Sequence, residues 1–104
     1  MIKWYDNLYV DCILKNKQKK IMKKIDEGKI TTHVYCIALA SNGNNLFDII
    51  NTNELLFKYY KNQEMCILGL AFGRDSAIEL VVSMIEEIYK NTGDFKVRNY
   101  YRFE

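Results

Sequence analysis

The stretch TTHVYCIALASNGNNLFDII, residues 31–50, decides how the chain folds. It opens with two β-branched threonines and continues as an unbroken apolar run from Val34 to Ala40. Such a run predicts a strand over 31–40 that is covered on both faces. Ser41-Asn42-Gly43-Asn44-Asn45 is made of residues that turn a chain, so it reads as a loop. Leu46 to Ile50 then reads as a short helical turn. Asn51, with Glu54 three residues on, resembles an N-cap and its partner. That start predicts a second short helix over 52–61, carrying Leu55, Leu56, Tyr59 and Tyr60.

The flanking segments follow the same logic. EMCILGLAF, residues 64–72, predicts a second doubly covered strand, after which Gly73 turns the chain. Ser76 and Glu79 have the spacing of a capping box. A helix over 76–90 would bury Ala77, Leu80, Val81, Met84, Ile85 and Ile88. Its polar face would hold Glu79, Ser83, Glu86, Glu87 and Lys90, and Thr92-Gly93-Asp94 would end it. FKVRNYY, residues 95–101, alternates like a last strand with one exposed side. Towards the N-terminus, residues 12–28 predict a helix with Leu14, Ile21 and Ile25 inward and Gly28 as its stop. Residues 2–10 offer a further short strand. The expected fold is therefore an α/β domain over 1–104. Its small, mainly parallel sheet has three or four strands, in the order α-β-α-β-α-β. So small a sheet leaves open edges, which favours a homodimer.

Composition narrows the class further. The 104 residues are 49% hydrophobic and 27% charged, an ordinary balance for a globular protein. A chain of this size buries roughly 65% of its unfolded surface, enough for a core without disulfides. Disorder, a collagen-like repeat and a multidomain enzyme are excluded. Lys, Asn, Ile and Tyr are abundant and Pro is absent. All four abundant types have A/T-rich codons, which points to an A/T-rich bacterial or phage genome. The longest apolar runs, Val34–Ala40 and Met65–Phe72, fall far short of the roughly 20 residues that span a bilayer. Asp6 and Asp11 interrupt any secretory signal, so a cytoplasmic location and no membrane partner are expected. The three cysteines, Cys12, Cys36 and Cys66, form no CxxC pair and read as buried thiols in a reducing compartment.

Two stretches share a wider pattern: ALASNGNNLFDIINTNELLFKYY, residues 38–60, and GLAFGRDSAIELVVSMIEEIYKNTGDFKVRNY, residues 69–100. Together they resemble short uncharacterised proteins of low-GC anaerobic bacteria. The resemblance implies a cytoplasmic bacterial protein and carries no catalytic residue with it.

Four groups of residues could bear function. In an open parallel sheet, ligands bind beyond the carboxyl ends of the strands. That rule would join the loop at Asn42 and Asn44 to the turn at Gly73 and Arg74, around a small polar or anionic ligand. Tight-turn chemistry and capping by Asp75 or Ser76 are the structural alternative. Gly69 and Gly73 make neither a dinucleotide fingerprint nor a phosphate loop, since Ala71 replaces the second glycine and no Gly-Lys-Ser/Thr follows.

The second group is the run Lys15 to Lys24, which holds six lysines in ten residues. Lys15, Lys19, Lys20, Lys23 and Lys24 could contact nucleic-acid phosphates, although the run has one Gln and no Arg for base reading. A solvated helix face is the plainer reading. The third group, Tyr100, Tyr101 and Phe103 beside Arg98 and Arg102, suits a protein interface or the core. The last group holds the nucleophiles. His33 would lie about 26 Å from the ligand-bearing loops of a parallel sheet, eight residues along its strand. Cys36 and Cys66 would sit about 8 Å apart, beyond disulfide reach. No metal site, cofactor or catalytic set emerges. The expected function is a non-catalytic interaction or small-ligand module acting as a homodimer. Nucleic-acid binding, or a small enzyme at the Asn42/Arg74 crevice, is the alternative.

Overall fold

The computed structural model describes residues 2–40, 45–57, 60 and 63–101. Strand β1 (Ile2–Val10) leads through a 3-10 turn at Lys15–Lys17 into helix α1 (Gln18–Asp26). Strands β2 (Val34–Leu39) and β3 (Phe47–Asn51) follow, then a 3-10 turn at Thr52–Leu56. Strand β4 (Met65–Phe72), helix α2 (Arg74–Thr92) and a short helix α3 (Val97–Tyr100) complete the chain. The four strands form one sheet in the order β1-β4-β2-β3.

This sheet corrects the expected one. Only β1 and β4 are parallel, whereas β2 runs antiparallel to both of its neighbours. The element that overturns the parallel reading is residues 46–50. Phe47 to Asn51 extends as β3 and pairs with β2, from Tyr35 opposite Asn51 to Leu39 opposite Phe47. Only seven residues separate the two strands, too few for the crossover that a parallel pair needs, so the chain reverses directly. The apolar runs were sound evidence of two covered faces, because β2 and β4 are the central strands. Burial on two faces does not set strand direction, and here the direct reversal did.

Two further elements depart from expectation. Residues 95–101 do not pair as a strand. Val97 and Tyr101 lie one helical turn apart, and both are buried against the sheet. Helix α2 starts two residues early, at Arg74, behind Gly73 with φ +87°. It has no side-chain cap at that end, so the Ser76/Glu79 box does not form. The predicted helix over 12–28 is realised as the 3-10 turn and α1, and it stops at Gly28 with φ +71°. Asn51 does cap the following turn, accepting a bond from the Asn53 N–H at 3.0 Å.

The result is three layers. On one face, Ile21 and Ile25 of α1, Leu14 and Leu55 pack on Val34, Cys36, Ile50, Ile67 and Leu70. On the other, Met84 and Ile88 of α2, with Val97 and Tyr101, cover Ile37 and Leu68. Ile67 and Leu70 reach the same core although three residues apart. A register shift in β4 accounts for this: Ile37 lies opposite Gly69, but Ala38 lies opposite Ile67. At Gly69 a Cβ would stand 3.1 Å from the Tyr9 carbonyl oxygen and 3.3 Å from Leu80. Helix α2 and β1 close in tightly there.

One side chain clamps the parallel edge. The Asp11 carboxylate accepts the Leu14 N–H at 2.9 Å and the Phe72 N–H at 2.7 Å. It thereby ties the end of β1 both to the turn into α1 and to the end of β4. Asp11→Ala leaves two backbone donors without that acceptor and is expected to cost about 1–3 kcal/mol of unfolding free energy in urea. Gly69→Ala is expected to cost a similar 1–3 kcal/mol through overpacking at the β1 contact.

Candidate functional site

The antiparallel pairing rearranges the predicted site. Strand β2 begins where β4 ends, with Val34 opposite Phe72. His33 therefore stands beside Gly73, whose N–H donates to the His33 carbonyl at 2.7 Å. The His33 ring meets Phe72 edge-on, 5.7 Å between centroids. His33 also has φ +57°, a left-handed conformation that few non-glycine residues adopt. A shallow concavity joins it to Arg74, Asp75 and Ser76. The predicted 26 Å separation of His33 from this turn belonged to the parallel sheet and does not hold. Conversely, Ala40 at the far end of β2 lies away from Gly73, where it accepts a bond from the Arg98 guanidinium. Asn42 and Asn44 fall outside the described residues. The crevice joining them to Arg74 required parallel strands.

Helix α2 carries the most conspicuous surface. Its Leu80 lies over Gly69 of β4, and its Glu87 bonds Tyr9 of β1. The opposite flank holds Ile78, Val82, Ile85 and Tyr89, by the 100° step of the helix. Ile78, Val82 and Tyr89 are 42%, 48% and 55% exposed, and Ile85 is half-buried. Phe95, also exposed, stacks on Tyr89 with centroids 5.1 Å apart. Scattered apolar residues on a surface need no explanation, but a contiguous stripe does. Periodicity alone assigns Ile85 to the core and does not single out the other three. Their signal was the spacing four, three, four, the interval of a helix–helix seam.

The lysine run lies across the sheet from this stripe, on the outside of α1. Lys15, Lys19, Lys20 and Lys23 are exposed and Lys24 is half-buried. None of them meets a carboxylate among the described residues, where the ion pairs are Lys3–Glu64 and Lys29–Glu27. Asp26, the acid at the end of α1, accepts the Trp4 indole N–H at 3.0 Å instead.

The C-terminal aromatics are used inside the chain. Tyr101 is buried, and its ring stands nearly perpendicular to those of Tyr5, Tyr9 and Tyr100. Tyr100 is half-buried and donates to the Glu87 carboxylate at 3.1 Å. Tyr9 donates to the same carboxylate at 2.6 Å. Tyr100 and Tyr101 are thus engaged within one molecule, and Phe103 lies outside the described residues. Burial raises the phenol pKa of Tyr9, and its bond to Glu87 raises it further. Burial likewise pushes Tyr101 up to about 12.

All three cysteines are free, and burial pushes the Cys36 thiol up to about 12, which makes it a poor nucleophile. Cys36 lies opposite Leu70, four residues along β4 from Cys66, so the two are farther apart than expected. No three metal-ligating side chains gather among the described residues. No helix among them is long and apolar enough to cross a membrane. No family model, curated protein or solved structure matches the chain.

The tyrosine cluster makes stability depend on alkaline pH. A phenol whose folded pKa is raised holds its proton longer in the folded state. Its contribution is complete below the unfolded value of about 10 and is lost as pH rises through the folded value. The urea midpoint is therefore expected to fall between about pH 10 and 12. Tyr9→Phe should make that fall shallower.

Proposed function

We propose that the chain is a non-catalytic module that works by self-association through the outer stripe of helix α2. The observation that carries this reading is the spacing of Ile78, Val82, Ile85 and Tyr89. The interval four, three, four reads the same in both directions. An antiparallel second copy would place Ile78 against the partner's Tyr89, and Val82 against the partner's Ile85. One patch can thus serve both sides of a two-fold interface. The stripe runs about 16 Å along the helix. Phe95 extends it past the helix end, giving the aromatic content usual in an interface centre. The seam uses α2 where the sequence pointed to the C-terminal tyrosines. A cytoplasmic bacterial setting agrees with the free thiols and the A/T-rich codon bias.

Sedimentation velocity tests the reading. The wild-type chain is expected to dimerise at micromolar concentration. Val82→Glu should weaken that dimer by about thirtyfold or more, the scale of an interface hot spot. Lys19→Glu, on the opposite side of the sheet, should leave it unchanged. A wild-type chain that stays monomeric at several hundred micromolar would sink the proposal.

A second reading rests on the six lysines of 15–24, which lack partner carboxylates among the described residues. A polyanion such as nucleic acid would supply the missing charge. If four or five lysines reach phosphates, the logarithm of affinity should fall with the logarithm of salt at a slope near −4. Lys19→Glu/Lys23→Glu should abolish binding at low salt. Equal retention of wild type and variant on duplex or single strands would remove this reading.

A further inference from the structure

Helix α2 leaves part of its own sheet face open. It begins near the start of β2 and the end of β3, and farther along Glu87 meets Tyr9 of β1. A groove of about 560 Å³ remains beside its first turn. That volume lies within the range of small-molecule sites. Tyr35 of β2 and Ile49 of β3 line it from the sheet, and Leu56 of the Thr52–Leu56 turn lines its side. Ile30 and Phe57, the two most exposed large apolar side chains among the described residues at 71% and 62%, also line it.

Charge gives the groove its character. Arg74 and Glu54 both line it. Neither side chain has an ion-pair or hydrogen-bond partner among the described residues, and they do not pair with each other. The neighbouring amides are already engaged. Asn53 accepts the Thr31 N–H at 2.8 Å and donates to the Thr31 carbonyl at 2.8 Å. Asn51 caps the turn through Asn53. These bonds hold the Glu54 wall in place and leave Arg74, Glu54, the Tyr35 hydroxyl and the side-chain NH2 of Asn51 as the polar groups available to a ligand. Behind that wall, Thr52 donates to the Val34 carbonyl at 3.1 Å.

We infer that this groove binds a zwitterionic small molecule, a free α-amino acid with a large apolar side chain. A guanidinium recognises a carboxylate with two parallel N–H bonds. A carboxylate such as Glu54 recognises an ammonium. The side chain would lie on Ile49, Leu56 and Phe57. A simple anion would leave Glu54 opposed to it, and a simple cation would leave Arg74 opposed. A ligand with both charges complements both side chains. No residue of the α2 stripe lines the groove, although Arg74 stands one helical turn before Ile78.

The test is an amide-resolved NMR titration with L-leucine and L-phenylalanine. N-acetyl-phenylalanine and phenylalanine amide, each lacking one charge, are the comparison ligands. Saturable shifts are expected at residues 30, 35, 49–57 and 74 with the free amino acids. The blocked derivatives should bind about tenfold more weakly or worse, as should the Arg74→Gln and Glu54→Gln variants. Both side chains are exposed and have no partner among the described residues, so the variants should keep the wild-type spectrum elsewhere. No shift at millimolar amino acid would overturn the inference. So would equal binding of the blocked derivatives, or wild-type affinity in both variants.

Discussion

The arrangement of the molecule follows from the pairing of β2 between β4 and β3, antiparallel to both. Two ladders of backbone bonds place β2 at the centre of the half-sheet it shares with β3. With β1 added beside β4, β2 and β4 become the inner strands, and both are covered above and below. That position accounts for their apolar sequences. It also sets which chain ends meet. The start of β2 lies at the end of β4, so His33, Gly73 and Arg74 gather at one end of the sheet. Strand β2 ends at the other.

Polar groups secure the corners of this frame. Asp11 joins β1, β4 and the turn into α1 through two backbone N–H groups. Thr31, Thr52 and Asn53 knit the approach to β2 onto the turn after β3, with the two threonine hydroxyls in direct contact. Glu87 gathers Tyr9 and Tyr100 where α2 crosses β1. Each of these side chains satisfies backbone or phenol groups that the helices and ladders leave unpaired. A buried polar group without a partner costs more than a typical bond contributes, so these contacts specify geometry as much as they stabilise it.

The layers also separate the surfaces. Helix α1 presents lysines on one side of the sheet, and α2 presents an apolar stripe on the other. An assembly through α2 would leave both lysine faces outward. The Arg74 groove lies at the first turn of α2, beside the stripe rather than under it. The proposed assembly stripe, the lysine face and the proposed ligand groove thus occupy distinct parts of one small fold.

Much of this was written in local sequence. The runs Val34–Ala40 and Met65–Phe72 marked the doubly covered strands, because only such strands tolerate apolar residues on both faces. Gly28 and Gly93 marked helix ends, since each takes a positive φ there. The lysine arc of α1 was plain from its periodicity. Other features were not local. LFDII suits a helical turn as well as a strand, and pairing with Tyr35–Leu39 made it β3. FKVRNYY alternates like a strand, yet burial of Val97 and Tyr101 made it a helical turn. The stripe on α2 had a legible spacing, but only the position of Leu80 over β4 and of Glu87 beside Tyr9 of β1 showed which flank was left uncovered. Arg74 was singled out from sequence, whereas its neighbours Tyr35, Ile49 and Glu54 were not. Local sequence reports how deeply a segment is buried. The direction of a strand, and therefore which loops become neighbours, is decided by bonds between residues far apart in the chain, which only the tertiary structure brings together.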